Sequence, residues 1–227
     1  MAGRGGRPRR ARAAAVPARR EAAGVVDSHV HLASCAGEPA TLVAEARAAG
    51  VDRMVTIGCG HASSLQAVAL AERHPEVWAA VGVHPHDADG WTDADARWIR
   101  ELAAHPRVVA IGECGLDHHY DRSARPAQER AFRAQIGLAR ECGLPVVVHT
   151  RDAADDTLRI LREDADGHPV VLHCFSLPDE VAAVAAAGWY ASFAGTLTFR
   201  RSDDLRAAAA ALPEDRVLVE TDAPYLA

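Results

Sequence analysis

From Val25 onward the chain alternates short apolar runs with longer stretches of helical periodicity. The apolar runs fall at 25–27, 53–57, 77–81, 108–111, 145–149, 169–173, 190–193 and 217–220, each of strand length. They show little polar alternation, as expected of parallel strands covered on both faces. Between them lie Ala-rich amphipathic stretches at about 38–49, 63–73, 93–105, 126–142, 153–164, 179–187 and 203–211. Thr92-Asp93 and Ser202-Asp203 read as helix starts, and Gly50, Gly143 and Gly188 as left-handed terminators.

Strict strand-then-helix order leaves an open doubly wound sheet or a closed barrel. Eight strands, with no Gly-rich dinucleotide fingerprint after the first, predict an α/β fold of the (β/α)8 TIM-barrel type over residues 25–227. The pattern yields one helix fewer than strands, so the outside of the last and first strands is expected to lack a covering helix. Either the sequence is part of a longer one, or the Ala-rich stretch 11–23, interrupted by Pro17, covers that face.

Charge separates the first 24 residues from the rest. They hold seven Arg and one Glu, a net of +6, against −6 for the whole chain, so the remainder stands near −12. This head reads as a disordered basic extension, with too little apolar content to fold alone and no signal-peptide core. A nucleic-acid-binding arm is the other reading, since a flexible Arg cluster attracts phosphates. No apolar run reaches the roughly 18 residues needed to span a bilayer. Cys35, Cys59, Cys114, Cys142 and Cys174 are odd in number, scattered, and without a CxxC pair. That pattern points to a reducing, cytoplasmic setting rather than a disulfide framework. Nothing marks an obligate protein partner.

In a barrel of this type, chemistry gathers where the strands end. After the first run come His29 and His31, aligned with Asp27 by strand alternation. The third is followed by His84 and His86, and the fourth by Glu113 and Asp117. The fifth ends in His149 and Arg151, the sixth in His173, and the eighth in Glu220 and Asp222. One buried histidine is usually a satisfied core residue. Imidazoles and carboxylates from several strand ends converging on one mouth are costly to bury unless something neutralises them, and divalent metal does so.

Four histidines with two carboxylates suit Zn, Mn or similar ions, whereas Mg favours more oxygen. Six ligands exceed one tetrahedral shell, so two ions are expected: His29, His31 and Asp222 on one, His149 and His173 on the other, with Glu113 bridging. Such a pair can activate a water between them, which Asp222 is placed to orient and deprotonate. All 25 basic residues are Arg. A carboxylated-lysine bridge and a phosphate-binding Lys are therefore excluded. Substrate contacts fall to Arg, with Arg151 the first candidate and Arg122 and Arg200 following.

The segments DSHVHL, VGVHPH, GECGLDHHYDRS, HTRDA, HCFS, SFAGTLTF and ETDAPYL, in this order from about Val25 to Leu226, resemble the TatD family of metal-dependent hydrolases. The resemblance implies a cytoplasmic TIM-barrel deoxyribonuclease that cleaves phosphodiester bonds of DNA from an end, single strands included, with two divalent cations (Mg, Mn or Zn). Motif by motif, the family's ligands fall on His29, His31, Glu113, His149, His173 and Asp222, and a histidine near the substrate falls on His84. Leu177 follows Ser176 where the family usually has Gly, and the family's terminal helix has no counterpart here. The alternatives are hydrolysis of an amide, lactone or aminoacyl ester on the same site, or a destabilised barrel that binds metal without turnover.

Overall fold

The computed structural model describes residues 24–226, and the basic head, including the covering role considered for 11–23, lies outside the described residues up to Ala23. Each apolar run becomes a strand: β1 (Val25–Val30), β2 (Val51–Ile57), β3 (Val77–Val81), β4 (Val108–Asp117), β5 (Val146–Arg151), β6 (Val170–Leu172), β7 (Tyr190–Phe193) and β8 (Val217–Val219). The intervening stretches become α1 (Pro39–Ala48), α2 (His61–Arg73), α3 (Asp93–Ala103), α4 (Arg125–Cys142), α5 (Ala154–Asp164), α6 (Val181–Ala186) and α7 (Asp203–Ala211). All neighbouring strands pair in parallel and close in the order β1 to β8. The predicted (β/α)8 barrel is what the chain forms.

Two apolar layers build it. The larger lies between strands and helices. It includes Val77, Ala79 and Val81 of β3, Phe132 and Ile136 of α4, and Leu158 and Leu161 of α5. Successive strand residues face opposite sides, so Ala80 points the other way. There it meets Ile57, Ala110 and Val147 in a small cluster that floors the barrel lumen. Above this floor the lumen turns polar, and that end carries the chemistry.

Three strands run further than their apolar letters suggest. The sequence ends the first at residue 27, but β1 continues through His29. It ends the fourth at 111, but β4 continues to Asp117 and so contains Glu113. It ends the fifth at 149, but β5 includes Arg151. In each case ladder hydrogen bonds continue while the inward side chains become polar, so hydrophobicity stops reporting the strand before the backbone does. The predicted helix at 179–187 also divides, opening as a 3-10 turn at Pro178–Glu180 before α6. At the start of α3 the Asp95 carboxylate accepts from the Thr92 backbone N–H at 2.7 Å and from its hydroxyl at 2.9 Å. Ser202 makes no side-chain cap.

The seam is the thinnest part of the closure. β1 and β8 meet through one residue pair, Asp27 with Val219. Outside it, Val25, Val26 and Val219 are 49%, 45% and 47% exposed, the surface expected where, among the described residues, no helix packs.

Gly115 is required by close approach. It sits in β4 at φ +138°, beside His149, and a Cβ there would lie 2.0 Å from the His149 carbonyl oxygen. Both the dihedral and the clash oppose any side chain. Gly115→Ala is expected to cost about 3 kcal/mol or more, from backbone strain and overpacking together. A urea denaturation midpoint equal to that of the unmodified chain would contradict this.

Candidate metal centre at the barrel mouth

Glu113 is the hub. Strict alternation would put Ala110 and Glu113, three residues apart, on opposite faces of β4. The β4–β5 register shifts between Ile111 and Cys114, and both side chains reach the lumen. The buried carboxylate presents its two oxygens to different neighbours. Oε2 lies 3.5 Å from His29 Nε2 and 3.7 Å from His31 Nε2. Oε1 lies 2.9 Å from His173 Nε2 and 3.1 Å from His149 Nδ1. Asp222 Oδ1 stands 3.4 Å from His31 Nε2 and 3.8 Å from His29 Nε2. The six residues expected as ligands therefore come together as two groups that share one carboxylate.

The groups outside this ring of six fix its orientation. His149 turns Nε2 to the buried Asp117 carboxylate at 3.2 Å, which leaves Nδ1 as the nitrogen facing Glu113. His173 turns Nδ1 to Glu220 at 3.3 Å and Nε2 inward. Glu220 also accepts from the Cys174 backbone N–H at 2.7 Å. An imidazole whose outer N–H is held by a carboxylate presents an unprotonated inner nitrogen, the usual arrangement around a ligated metal. Asp27 ties the two ends of the barrel wall. It accepts from the His29 N–H at 3.2 Å, the Thr221 N–H at 3.0 Å and the Thr221 hydroxyl at 2.7 Å, while the Asp222 N–H donates to the His29 carbonyl at 2.9 Å.

The donor set fits divalent cations. Inner nitrogens face one another, with His29 and His31 3.2 Å apart and His149 and His173 3.4 Å apart. Tetrahedral ligands at about 2.0–2.1 Å from a zinc ion are separated by roughly 3.4 Å. Among the described residues His29 Nδ1 and Glu220 Oε2 are buried without a hydrogen-bond partner, a sign that protein groups alone do not satisfy this cluster. Burial would raise the Glu113 carboxyl, but His173, His84 and His149 hold it well below the usual carboxylate range. Burial would lower His173, yet Glu113 and Glu220 raise it well above an ordinary imidazole. His29 is lowered, by burial and then by His173.

His84 stands beside the hub, its Nε2 3.5 Å from Glu113 Oε1. Its Nδ1 accepts from the His86 N–H at 3.1 Å, so the ring proton sits on Nε2 and points inward. That makes His84 a donor toward whatever occupies the centre. Arg151 stands apart, exposed at the rim, and among the described residues it makes no ion pair or hydrogen bond with the six. Arg200 likewise lies on the surface.

A family model described as TatD related DNase matches residues 26–227. The chain belongs to the TatD family. The expected TatD-type metal-dependent hydrolase is thus the right class. One relative, the "Uncharacterized metal-dependent hydrolase TatD" of Mycobacterium tuberculosis, is 42% identical over 212 residues, covering 89% of this chain and 80% of that protein. Another, the "3'-5' ssDNA/RNA exonuclease TatD" of Enterobacter lignolyticus, is 46% identical over 188 residues, covering 82% and 72%. Among solved structures, the TatD homologue YJJV of Escherichia coli superposes with a TM-score of 0.81 at 27% identity, covering 89% of this chain and 80% of that one. Metal use, expected from the donor set, agrees with the family and with the His/Glu clusters His29–His31–Glu113 and His84–Glu113–His149.

Several residues of this TatD centre carry no assigned role in the sequence reading. Asp117, Glu220, His86 and Asp27 all stand in the quoted motifs, three of them two or four positions from an expected ligand and His86 two from the substrate histidine His84. Strand alternation could have flagged Asp117, which shares a face with Glu113. Cys59 carries no motif signal. Its thiol donates to Glu113 Oε2 at 3.6 Å, and burial, then Glu113, raise it well above a free thiol.

Proposed function

We propose that residues 25–227 form a nuclease barrel that hydrolyses phosphodiester bonds at an end of a single-stranded nucleic acid, using two divalent cations. The observation that carries this reading is the division of Glu113, one oxygen toward His29 and His31 and the other toward His149 and His173. His29, His31 and Asp222 would hold one ion and His149 and His173 the second, with Glu113 shared. When bound, the ions activate the attacking water and neutralise charge on the phosphate. Asp222 orients that water and takes its proton. His84 donates from Nε2 to a phosphate oxygen, and Arg151 receives a neighbouring phosphate at the rim. Relatives named as ssDNA/RNA exonucleases support widening the expected DNA substrate to RNA.

A net charge of −6 opposes a polyanion, and the two cations and the rim arginines offset that locally. Among the described residues no helix is long and apolar enough to cross a membrane. A reducing, cytoplasmic setting is part of this proposal, supported by five cysteines without a disulfide.

The test is turnover of end-labelled single-stranded DNA and RNA with Mg²⁺, Mn²⁺ or Zn²⁺, beside amide, lactone and aminoacyl-ester substrates. Cleavage from one end that chelator abolishes and metal restores is the expected result. Turnover confined to an amide or carboxylic ester would replace the phosphodiesterase reading.

A further inference from the structure

The five residues after Leu116 read DHHYD and lead off β4 onto the rim. Buried Asp117 closes this turn, accepting from the backbone N–H groups of His119 at 3.0 Å and Tyr120 at 2.8 Å. The turn sends Tyr120 outward, where it is 50% exposed. Its ring is nonetheless fixed. His86 packs edge-on at 5.6 Å and His119 at 4.8 Å, both near perpendicular. His86 donates to Asp117 at 2.9 Å, the carboxylate that also holds His149. The exposed ring is therefore referenced rigidly to the metal centre.

Charge around it is sorted in one direction. The guanidinium of Arg151 lies 4.8 Å from the ring centroid and that of Arg122 5.4 Å. Acids flank both in sequence, but each is already engaged: Asp121 by Arg125 at 2.9 and 3.0 Å, and Asp152 by His119 at 2.9 Å. Arg122 and Arg151 are exposed and, among the described residues, their guanidiniums make no ion pair or hydrogen bond. An open groove of ≈ 630 Å³ runs past Arg151 to Ser176 and Leu177. Asp152, Asp155 and Asp156 also line it, with Asp152 engaged by His119 and Asp156 by Arg159 at 3.0 Å, so the cationic side of the groove is the Arg151 end. An exposed aromatic and two uncommitted guanidiniums beside a groove is the composition that binds single-stranded nucleic acid, because bases stack on aromatic rings and guanidinium planes while phosphates take the cationic forks.

We propose that Tyr120, Arg122 and Arg151 form a nucleotide subsite beside the metal centre: an unstacked base enters the layer of phenol ring and guanidinium planes, and the guanidinium it displaces takes the adjoining phosphate. This rests on the nuclease reading above and assigns to Tyr120 its preference for single strands, since bases stacked within a duplex do not offer a free face. The bland alternative is a surface tyrosine held by two arginines.

The experiment uses the full chain with its metal and two probes. A phosphorothioate-linked single strand with a terminal 2-aminopurine reads binding and stacking, and ordinary and abasic strands of equal length read turnover. Tyr120→Ala is expected to weaken binding roughly tenfold, to remove the 2-aminopurine quench, and to raise KM with little change in kcat on base-bearing strands only. Tyr120→Trp restores all three. Arg122→Gln is expected to weaken base-bearing and abasic strands alike, with a shallower salt dependence. Equal losses on both strands in Tyr120→Ala, or an undiminished quench, overturn the subsite. Quench without cleavage in the unmodified protein would sink the nuclease reading and leave the subsite standing. Cleavage without quench would do the reverse.

Discussion

Glu113→Gln lowers kcat/KM on single-stranded substrate by roughly 10³-fold or more and reduces bound divalent metal below two ions per chain, with the far-UV circular dichroism unchanged. The magnitude follows from what the carboxylate does in this geometry. Its two oxygens face separate histidine pairs, at 3.5 and 3.7 Å on one side and 2.9 and 3.1 Å on the other. An amide keeps the volume but replaces one oxygen by an N–H group, which cannot ligate and which faces imidazole nitrogens whose lone pairs point inward. One cation loses a ligand and the pair loses its shared negative charge, so water activation and stabilisation of the leaving oxygen fall together. The fold is expected to survive because Glu113 is not part of the apolar layers that hold strands to helices. Metal analysis beside kinetics checks it. Two ions per chain with full turnover in Glu113→Gln would remove the bridging role.

How much of this was legible depends on which property encodes it. Strand and helix order was readable because both layers of the sheet are covered, and the apolar runs of β3 and β7 match the observed strands in full. The ligands were readable as types at strand ends. What the letters did not carry is backbone geometry. Glu113 reaches the lumen only because β4 slips register against β5 between Ile111 and Cys114, and the one letter that marks the slip is Gly112, at φ +141° and with a Cβ position 2.5 Å from the Val147 carbonyl oxygen. The strand ends at Val30, Asp117 and Arg151 are hidden because side chains turn polar where the barrel opens, while pairing continues.

Partnership was the other hidden layer. Asp117 serves His86, His149 and two backbone N–H groups at once, and Glu220 serves His173 and Cys174. Each is a carboxylate close in sequence to an expected ligand, and only distances separate a residue facing the centre from one facing the back of an imidazole. Tyr120 shows the same limit. Its letter gives an aromatic in a loop, while its function as proposed depends on Asp121 and Asp152 being occupied elsewhere.

Asp222→Asn divides the two roles assigned to that residue. Asp222 has φ +52°, a left-handed conformation that Asp and Asn tolerate far better than most residues, so the exchange leaves the backbone unstrained. The Asp222 N–H to His29 carbonyl bond and the Thr221–Asp27 clamp do not involve the altered atoms. The side chain is buried and reaches only the His29–His31 side of the centre. An amide retains a weak ligand oxygen but cannot accept a proton. The expected result is a fall in kcat of about 10² to 10⁴-fold, the range lost with a general base, at nearly unchanged KM. Melting temperature should stay near that of the unmodified chain. Metal content separates the readings: two ions retained with kcat lost assigns the proton transfer to Asp222, whereas loss of one ion in proportion to activity makes it a ligand alone. Unaltered kcat would place the base elsewhere; His84, whose inward Nε2 carries the ring proton, stays a donor in that case.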